Sequence, residues 1–442
     1  MRSAASGGKL APTFRNSNVT AWLVPLLYAA SAISLGFTIP RLANSFLPGY
    51  LSTVSINSAI GIYSAVASGM IALTGIVFSL TFVMVQFSAT AYSPRLVLWI
   101  ARDPVVSHAM GVFTATFLYA IAALAWVDRG GSGRVPLAGT VLVTALLLVS
   151  VIMFIVLIQR VGMLQVNRML IFTADQGRKV IENLYPSLDT PPSQDSTEIA
   201  KSRCLQTLVH HGQANIIQEV DISALVEIAS RNGHSIELVA SVGDAAIEMN
   251  PILRVHGVGA PISEDTLRAA IMLGGERTFT QDPKYAIRLL VDIAIKALSP
   301  AINDPTTAVQ ALDHIEELLI RLGRRRLEIG SFRDATGNLR LVINFPTWDD
   351  FLCLALDEIR FYGATSIQVM RRMKALVNDL RSILPEERQP ALEHWQGRLQ
   401  FTVEHSFVDQ PDKLDAFGED RQGLGTTRRE ERVAKIAAKS RF

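Results

Sequence analysis

The sequence predicts an α-helical membrane domain of four transmembrane helices, followed by a mixed α+β, mainly helical, cytosolic domain. Three observations carry this expectation. Four apolar segments, at about 20–39, 58–88, 105–127 and 136–158, each reach the roughly 20 residues that a helix needs to cross a hydrocarbon core. Charge divides the 442-residue chain: residues 1–159 hold eight Lys/Arg and two acids, a balance of +6, while the remaining 34 basic and 38 acidic residues leave −4. Beyond the last segment, the apolar residues fall into amphipathic helical and short alternating patterns. The expected organisation is a tail at 1–19, the membrane domain at 20–160, a connecting helix and linker at 161–212, a small β-rich segment at 213–262, a mainly helical domain with one β-hairpin at 263–405, and a polar tail at 406–442.

The first segment begins after a basic start and contains Ala-Ser-Ala at 30–32, a pattern that resembles a signal-peptidase site. Its apolar run continues through Ile39, longer than a typical signal core, so it is expected to be retained as a helix. Orientation follows from Lys and Arg in the short flanks. Arg2, Lys9, Arg15, Arg95, Arg102, Arg160, Arg168, Arg178 and Lys179 fall on one side, against Arg41, Arg129 and Arg134 on the other. Both termini are therefore expected in the cytoplasm of a bacterial cell, with the protein multi-pass in the inner membrane.

The second segment is the unusual one. As an unbroken helix over 59–90 it would be about 48 Å long at 1.5 Å per residue, more than the hydrocarbon core needs. One face carries Gly61, Ser64, Ser68, Ala72, Gly75, Ser79 and Gln86 at steps of three, four and seven. Small residues with hydroxyls allow close helix packing; in an oligomer the same stripe could line a narrow uncharged pore. No span carries a charge in its middle, which argues against a proton relay or a charge-coupled transport site. After this span, Ser93-Pro94 suits a helix start, and Arg95, Trp99 and Arg102 suit the headgroup level, as an interfacial elbow or a gating one.

In the second half, residues 160–185 are expected to continue the last span as a helix into the cytoplasm. A Pro/Ser-rich break follows at 186–197. Short β-like runs surround a Gly243-Asp244 turn that resembles the half-hammerhead of lipoyl and biotinyl carriers, but no lysine lies between Lys201 and Lys284, so the resemblance is architectural only. Asp282-Pro283 and Asp304-Pro305 each read as a helix cap followed by proline at the first helical position. The helix from 283 is apolar on most sides, apart from a seam of Tyr285, Arg288, Asp292, Lys296 and Ser299. Arg288, Asp292 and Lys296 at i, i+4 and i+8 form a charge-alternating ladder. Ser299, Asn303, Asp304, Thr306 and Thr307 mark a tight helix–helix corner, with a small-ligand site as the alternative. Residues 327–344 predict a hairpin turning near 335–338, and helices follow at about 348–361, 365–383 and 386–404.

The two cysteines, Cys204 and Cys353, form no CxxC pair and read as core residues of a reducing compartment. The eight histidines make no zinc-type spacing, and no phosphate-binding, dinucleotide or nucleophile-elbow motif is present. No catalytic residue, cofactor or metal is expected on these grounds. The acidic balance of the second half gives a nucleic-acid partner little electrostatic support.

Tyr92-Ser93-Pro94-Arg95-Leu96, Gly243-Asp244, Gln281-Asp282-Pro283, the long run LVDIAIKALSPAINDPTTA and IRFYGA at 359–364 together resemble a bacterial family of predicted membrane proteins, domain of unknown function 2254. The resemblance runs to roughly residue 405. Tyr92 departs from an expected Phe, and Ala245-Ala246 from larger apolar residues. The resemblance implies a membrane protein with a cytosolic domain and brings no activity. The expected partners are the lipid bilayer and further copies in a homo-oligomer; a small ligand or ion is unidentified. Two readings follow: an oligomeric, channel-like core with a cytosolic sensing or gating domain, or a membrane-anchored scaffold or signalling module with no pore. An enzyme acting on lipid would need a polar cluster at the membrane surface, and only Arg95, Arg102, Asp103 and His108 come near.

Overall fold

The computed structural model describes residues 23–46, 55–91, 104–127, 135, 137–161, 166–188 and 203–425. They divide into two compact units between Gln165 and Val166. The Tyr92–Leu96 motif, the Arg95, Trp99 and Arg102 elbow, and most of the expected terminal tails and linker lie outside the described residues.

The first unit contains α1 (Leu23–Phe46), α2 (Ile56–Ala91), α3 (Pro104–Trp126) and α4 (Leu137–Val161). Among the described residues, three stretches are long and apolar enough to cross a membrane: Ile56–Val83, Val105–Ala125 and Ala138–Gln159. The fourth expected span has a shorter apolar run, Leu23–Ile39, among the described residues. The helix itself continues through Pro40-Arg41 to Phe46, and residues 20–22 fall outside the description. At 36 residues α2 is the longest helix among the described residues, about 54 Å at 1.5 Å per residue.

The packing centre of this unit is α3, not α2. Ala109, Phe113, Thr116, Tyr119 and Ala120 of α3 are fully buried. Close approach uses small residues: a Cβ on Gly36 would lie 2.5 Å from that of Ala122, and one on Gly111 would lie 2.6 Å from the Tyr28 ring. Thr116 and Ser150 hydroxyls meet at 2.9 Å between α3 and α4. One donates across and the other back to its own helix, where the carbonyls of Val112 and Leu146 are in reach, so neither hydroxyl is stranded.

The second unit opens with α5 (Val166–Leu184). It is the helix expected to follow the last span, and it packs lengthwise on two later helices of its own unit. Gly177 makes this possible, because a Cβ there would be 2.8 Å from Ala286 and 2.9 Å from Leu318. Arg178 reaches Glu317 at 2.6 Å on the same face. The strong amphipathic pattern of α5, with Leu170, Ala174 and Ile181 buried, supplies the physical reason.

Then follow β1 (Cys204–Val209), β2 (Asn215–Val220), α6 (Ile222–Arg231), β3 (Ser235–Leu238), β4 (Ala245–Ala246), β5 (Pro251–His256), α7 (Glu264–Ala269) and β6 (Ile271–Gly274). Next come α8 (Pro283–Ala297), α9 (Pro305–Gly323), β7 (Ser331–Arg333), β8 (Leu339–Ile343), α10 (Trp348–Tyr362), α11 (Ile367–Ile383), α12 (Gln389–Ser406) and α13 (Gln410–Ala416). A five-stranded sheet has the order β1-β5-β3-β8-β7, and a three-stranded sheet the order β4-β2-β6. The hairpin β7–β8 turns at 334–338, close to its expected place, but it is no separate feature. Its strand β8 pairs in parallel with β3, with Ile236 opposite Leu341, and so completes the larger sheet. The strands on either side of Gly243-Asp244 and Pro251 belong to different sheets, so this segment joins two sheets rather than forming one hairpin.

The helical part surrounds α8, which is buried at Tyr285, Ala286, Ile287, Leu289, Leu290, Val291, Ile293 and Ala294. It packs against α5, α9 and α10. One expectation needs correction. Cys204 and Cys353 are exposed, not core: Cys204 begins the edge strand β1, and Cys353 lies on α10 away from its buried Phe351, Leu352, Ala355 and Leu356. The described part of the expected polar tail is folded. Residues 407–425 fold back on α11, with Ala416 and Asp420 buried, the Lys374 amine 4.8 Å from the Phe417 ring centre, and Arg421 paired with Asp379 at 2.7 Å.

Candidate functional site

On α2 the packing face consists of Ala59, Tyr63, Val66, Ala67, Met70 and Val77, all buried. Tyr63 Oη meets Thr140 Oγ1 of α4 at 3.1 Å. The small and polar stripe lies elsewhere. Gly61, Ser68, Ala72, Gly75, Ser79 and Gln86 are exposed within the chain, and Ser64 is half-buried. A Cβ added at Gly61 or Gly75 would meet nothing within 4 Å. The stripe is therefore not the surface through which the described helices of one chain pack together. Ile71, Ile76, Phe78 and Phe82 flank it, also exposed.

The polar seam of α8 and the corner after it are two separate places. Arg288 binds Asp292 with its Nε at 2.7 Å and grips Glu358 of α10 with both terminal nitrogens, at 2.5 and 2.9 Å. The Arg288–Asp292 rung of the expected ladder is present, and Arg288 also bridges to another helix through Glu358, the partner that i, i+4 spacing does not reveal. Ser299 lies eleven residues on, about 16 Å along a helix. There the chain turns by ordinary capping. The Asn303 and Asp304 N–H groups donate to Ser299 and Ala297 carbonyls, at 2.9 and 2.8 Å. Asp304 accepts from Thr307 N and Thr307 Oγ1, at 3.1 and 2.6 Å. Asn303 takes a left-handed conformation, φ 49°, and it and Thr306 face outward. Replacing Asp304 with alanine is expected to lower the stability of this unit by about 1 kcal/mol, read as a shift in denaturant midpoint at unchanged slope; no shift would mean that the cap is idle.

The other Asp-Pro helix start behaves differently. Asp282 is expected to cap α8, but it makes no side-chain cap bond. Its carboxylate is 1 % exposed, and Oδ2 takes the Arg277 guanidinium through Nε at 2.7 Å and a terminal nitrogen at 2.6 Å. The reason is local: Arg277 lies five residues earlier, on the loop that leads into the helix, and an ion pair competes successfully with a neutral N–H. Asp282 Oδ1 is buried with no hydrogen-bond partner among the described residues.

This carboxylate is a meeting point of motifs that stand far apart in sequence. Gly243, φ 89°, lies so close that a Cβ there would be 2.2 Å from Asp282 Oδ2 and 2.7 Å from the Arg277 guanidinium. Asp244 pairs with Lys284 at 3.3 Å. Gln281 clamps the end of β2, accepting from Val220 N at 3.0 Å and donating to its carbonyl at 3.2 Å. The Tyr285 ring, itself buried, lies 5.5 Å from the Arg277 guanidinium carbon. Tyr185, just past α5, is buried against Phe345 and Phe351, and its hydroxyl is also without a partner among the described residues. Burial, then the nearby Asp282 charge, pushes that phenol's pKa up. For Asp282, burial outweighs Arg277, Lys284 and the Tyr285 N–H and holds the carboxyl above its ordinary range. Sequence reasoning passes over Tyr185, Arg277 and Lys284. The one available signal is that Gly243-Asp244 and Gln281-Asp282-Pro283 are both among the family-like motifs.

Apolar helices long enough to cross a bilayer, joined to a folded α/β unit with a buried ion pair, define a membrane protein with a substantial non-membrane part. The chain belongs to the family described as Predicted membrane protein (DUF2254), whose model matches residues 18–379. Similar curated proteins include uncharacterized proteins of Mycobacterium bovis and Mycobacterium tuberculosis, each 26 % identical over 412 residues, covering 90 % of this chain and 78 % of theirs. No solved structure matches the chain.

Proposed function

We propose that this is a non-enzymatic, multi-pass protein of the bacterial inner membrane, with both termini in the cytoplasm and α1 as the first of four spans. It assembles as a homo-oligomer with a channel-like core, and the unit beginning at Val166 senses or gates. The observation that carries this reading is the position of the α2 stripe. Gly61, Ser68, Ala72, Gly75 and Ser79 are exposed on a helix whose intrachain contacts use other residues. Hydrocarbon offers no partner to serine hydroxyls beyond their own helix, whereas a facing helix or a water-filled lumen does. Without a pore, the same surface would serve a membrane-anchored scaffold.

Ion and small-solute flux into proteoliposomes tests the proposal, with Ser79→Leu and Gln86→Leu beside the parent. Flux through the parent should fall at least tenfold in both variants. A folded, correctly oriented parent that passes no ion or solute would remove the channel and leave the scaffold.

A further inference from the structure

We propose that Asp282 is the proton-binding element of a latch that seats the 274–282 segment against the β2–β4 edge, locked when the carboxyl is protonated and loosened when it is ionised. The inference deepens, and rests on, the sensing role proposed for this unit.

The geometry is that of a joint held at one point. Gln218 donates to the Glu276 carbonyl at 2.7 Å, Gln281 clamps Val220, and Gly243 abuts the carboxylate, so three stretches far apart in sequence are tied together around Asp282. The groups facing it are Arg277 from the loop, Lys284 and Tyr285 from α8, Asp244 from the β2–β4 connection, and Tyr185 from the end of α5. Arg277 satisfies Oδ2 only. Ionised, the carboxylate leaves Oδ1 without a donor in a buried setting, which is costly. Protonated, it no longer buries a charge on an unpaired oxygen, while the other oxygen still accepts from Arg277.

Linkage fixes the direction. Seated, this acid has a pKa raised by burial; released into water it returns to an ordinary carboxylate value. The seated form therefore binds the proton more tightly, and acid favours it. Its stabilisation is complete below the ordinary carboxylate pKa and is lost as pH rises through the raised one.

The test is hydrogen exchange by mass spectrometry on the full chain in nanodiscs, from pH 4.5 to 8, corrected for intrinsic rates. In the parent, protection of peptides covering 241–246 and 274–285 should fall as pH rises, while α9 and α11 stay constant. Asp282→Asn should hold that protection high and flat across the range. Arg277→Gln removes the cation that favours ionisation, so the fall should move to higher pH; this second variant decides the matter if the first fails to fold. Constant or rising protection with pH in the parent, or an unmoved transition in Arg277→Gln, would overturn the latch. Neither result depends on flux, so the latch can fail while the channel stands, and the reverse.

Discussion

Replacing Arg372 with alanine is expected to destabilise the unit from Val166 onward by about 3–5 kcal/mol, the range for breaking a buried ion pair from one side. The Arg372 side chain is 4 % exposed. From α11 it reaches Asp313 at 2.7 Å and Glu316 at 2.5 Å on α9. Asp313 is half exposed and can turn to water, but Glu316 is largely buried. Burial already pushes the Glu316 carboxyl upward, and Arg372 is the chief influence holding it down. Without the guanidinium, Glu316 must either protonate or drag water into the α9–α11 contact. The double variant Glu316→Gln with Arg372→Met should therefore regain most of the loss, because neutral groups of similar volume replace both charges. Chemical unfolding of the two single variants and the double variant makes the cycle. A loss below about 1 kcal/mol in Arg372→Ala, the range of a surface pair, would mean that the pair behaves as if solvated.

The contrast between Asp304 and Asp282 shows how far a sequence carries such arguments. Both precede proline at a helix start, and both therefore read as caps. Asp304 caps, accepting from the Thr307 N–H and the Thr307 hydroxyl. Asp282 is drawn away by an arginine five residues upstream, in a loop whose path depends on β2 and Gly243. Helix positions and their buried faces were legible because they follow local periodicity. The pattern of α9 places Ala308, Leu312, Ile315 and Leu319 inward, and they are buried. Pairings across long separations were not legible. The β3–β8 register joins residues about a hundred positions apart, and β1 precedes the region where alternation is evident. The exposure of Cys353 was within reach, since the spacing of Phe351, Leu352, Ala355 and Leu356 already assigns the opposite face of α10 to solvent. A preference for cysteine in cores obscured it.

Gly243→Ala is the second substitution expected to have a large effect, and it tests the same joint without changing any charge. Two penalties combine. At φ 89° an alanine is strained, a cost of about 1–3 kcal/mol for a non-glycine residue held in a sparsely populated region. Its Cβ would also occupy the place of Asp282 Oδ2, 2.2 Å away, and crowd the Arg277 guanidinium at 2.7 Å. The pair cannot retreat freely: Asp282 is buried and fixed at the first turn of α8, and the Gly243 N–H is bonded to the Ile217 carbonyl at 2.8 Å. The strand edge and the ion pair must then separate. Gly233→Ala provides the control, because Gly233 has φ 68° and open space where its Cβ would stand. Unfolding midpoints for both variants separate backbone strain from the clash. The Gly243 variant should be the weaker by at least ~2 kcal/mol, in the range of core overpacking, with exchange protection lost first in 274–285. Equal losses in the two variants would mean that the carboxylate and guanidinium move aside at no cost, and that the contact at Gly243 does not hold the joint closed.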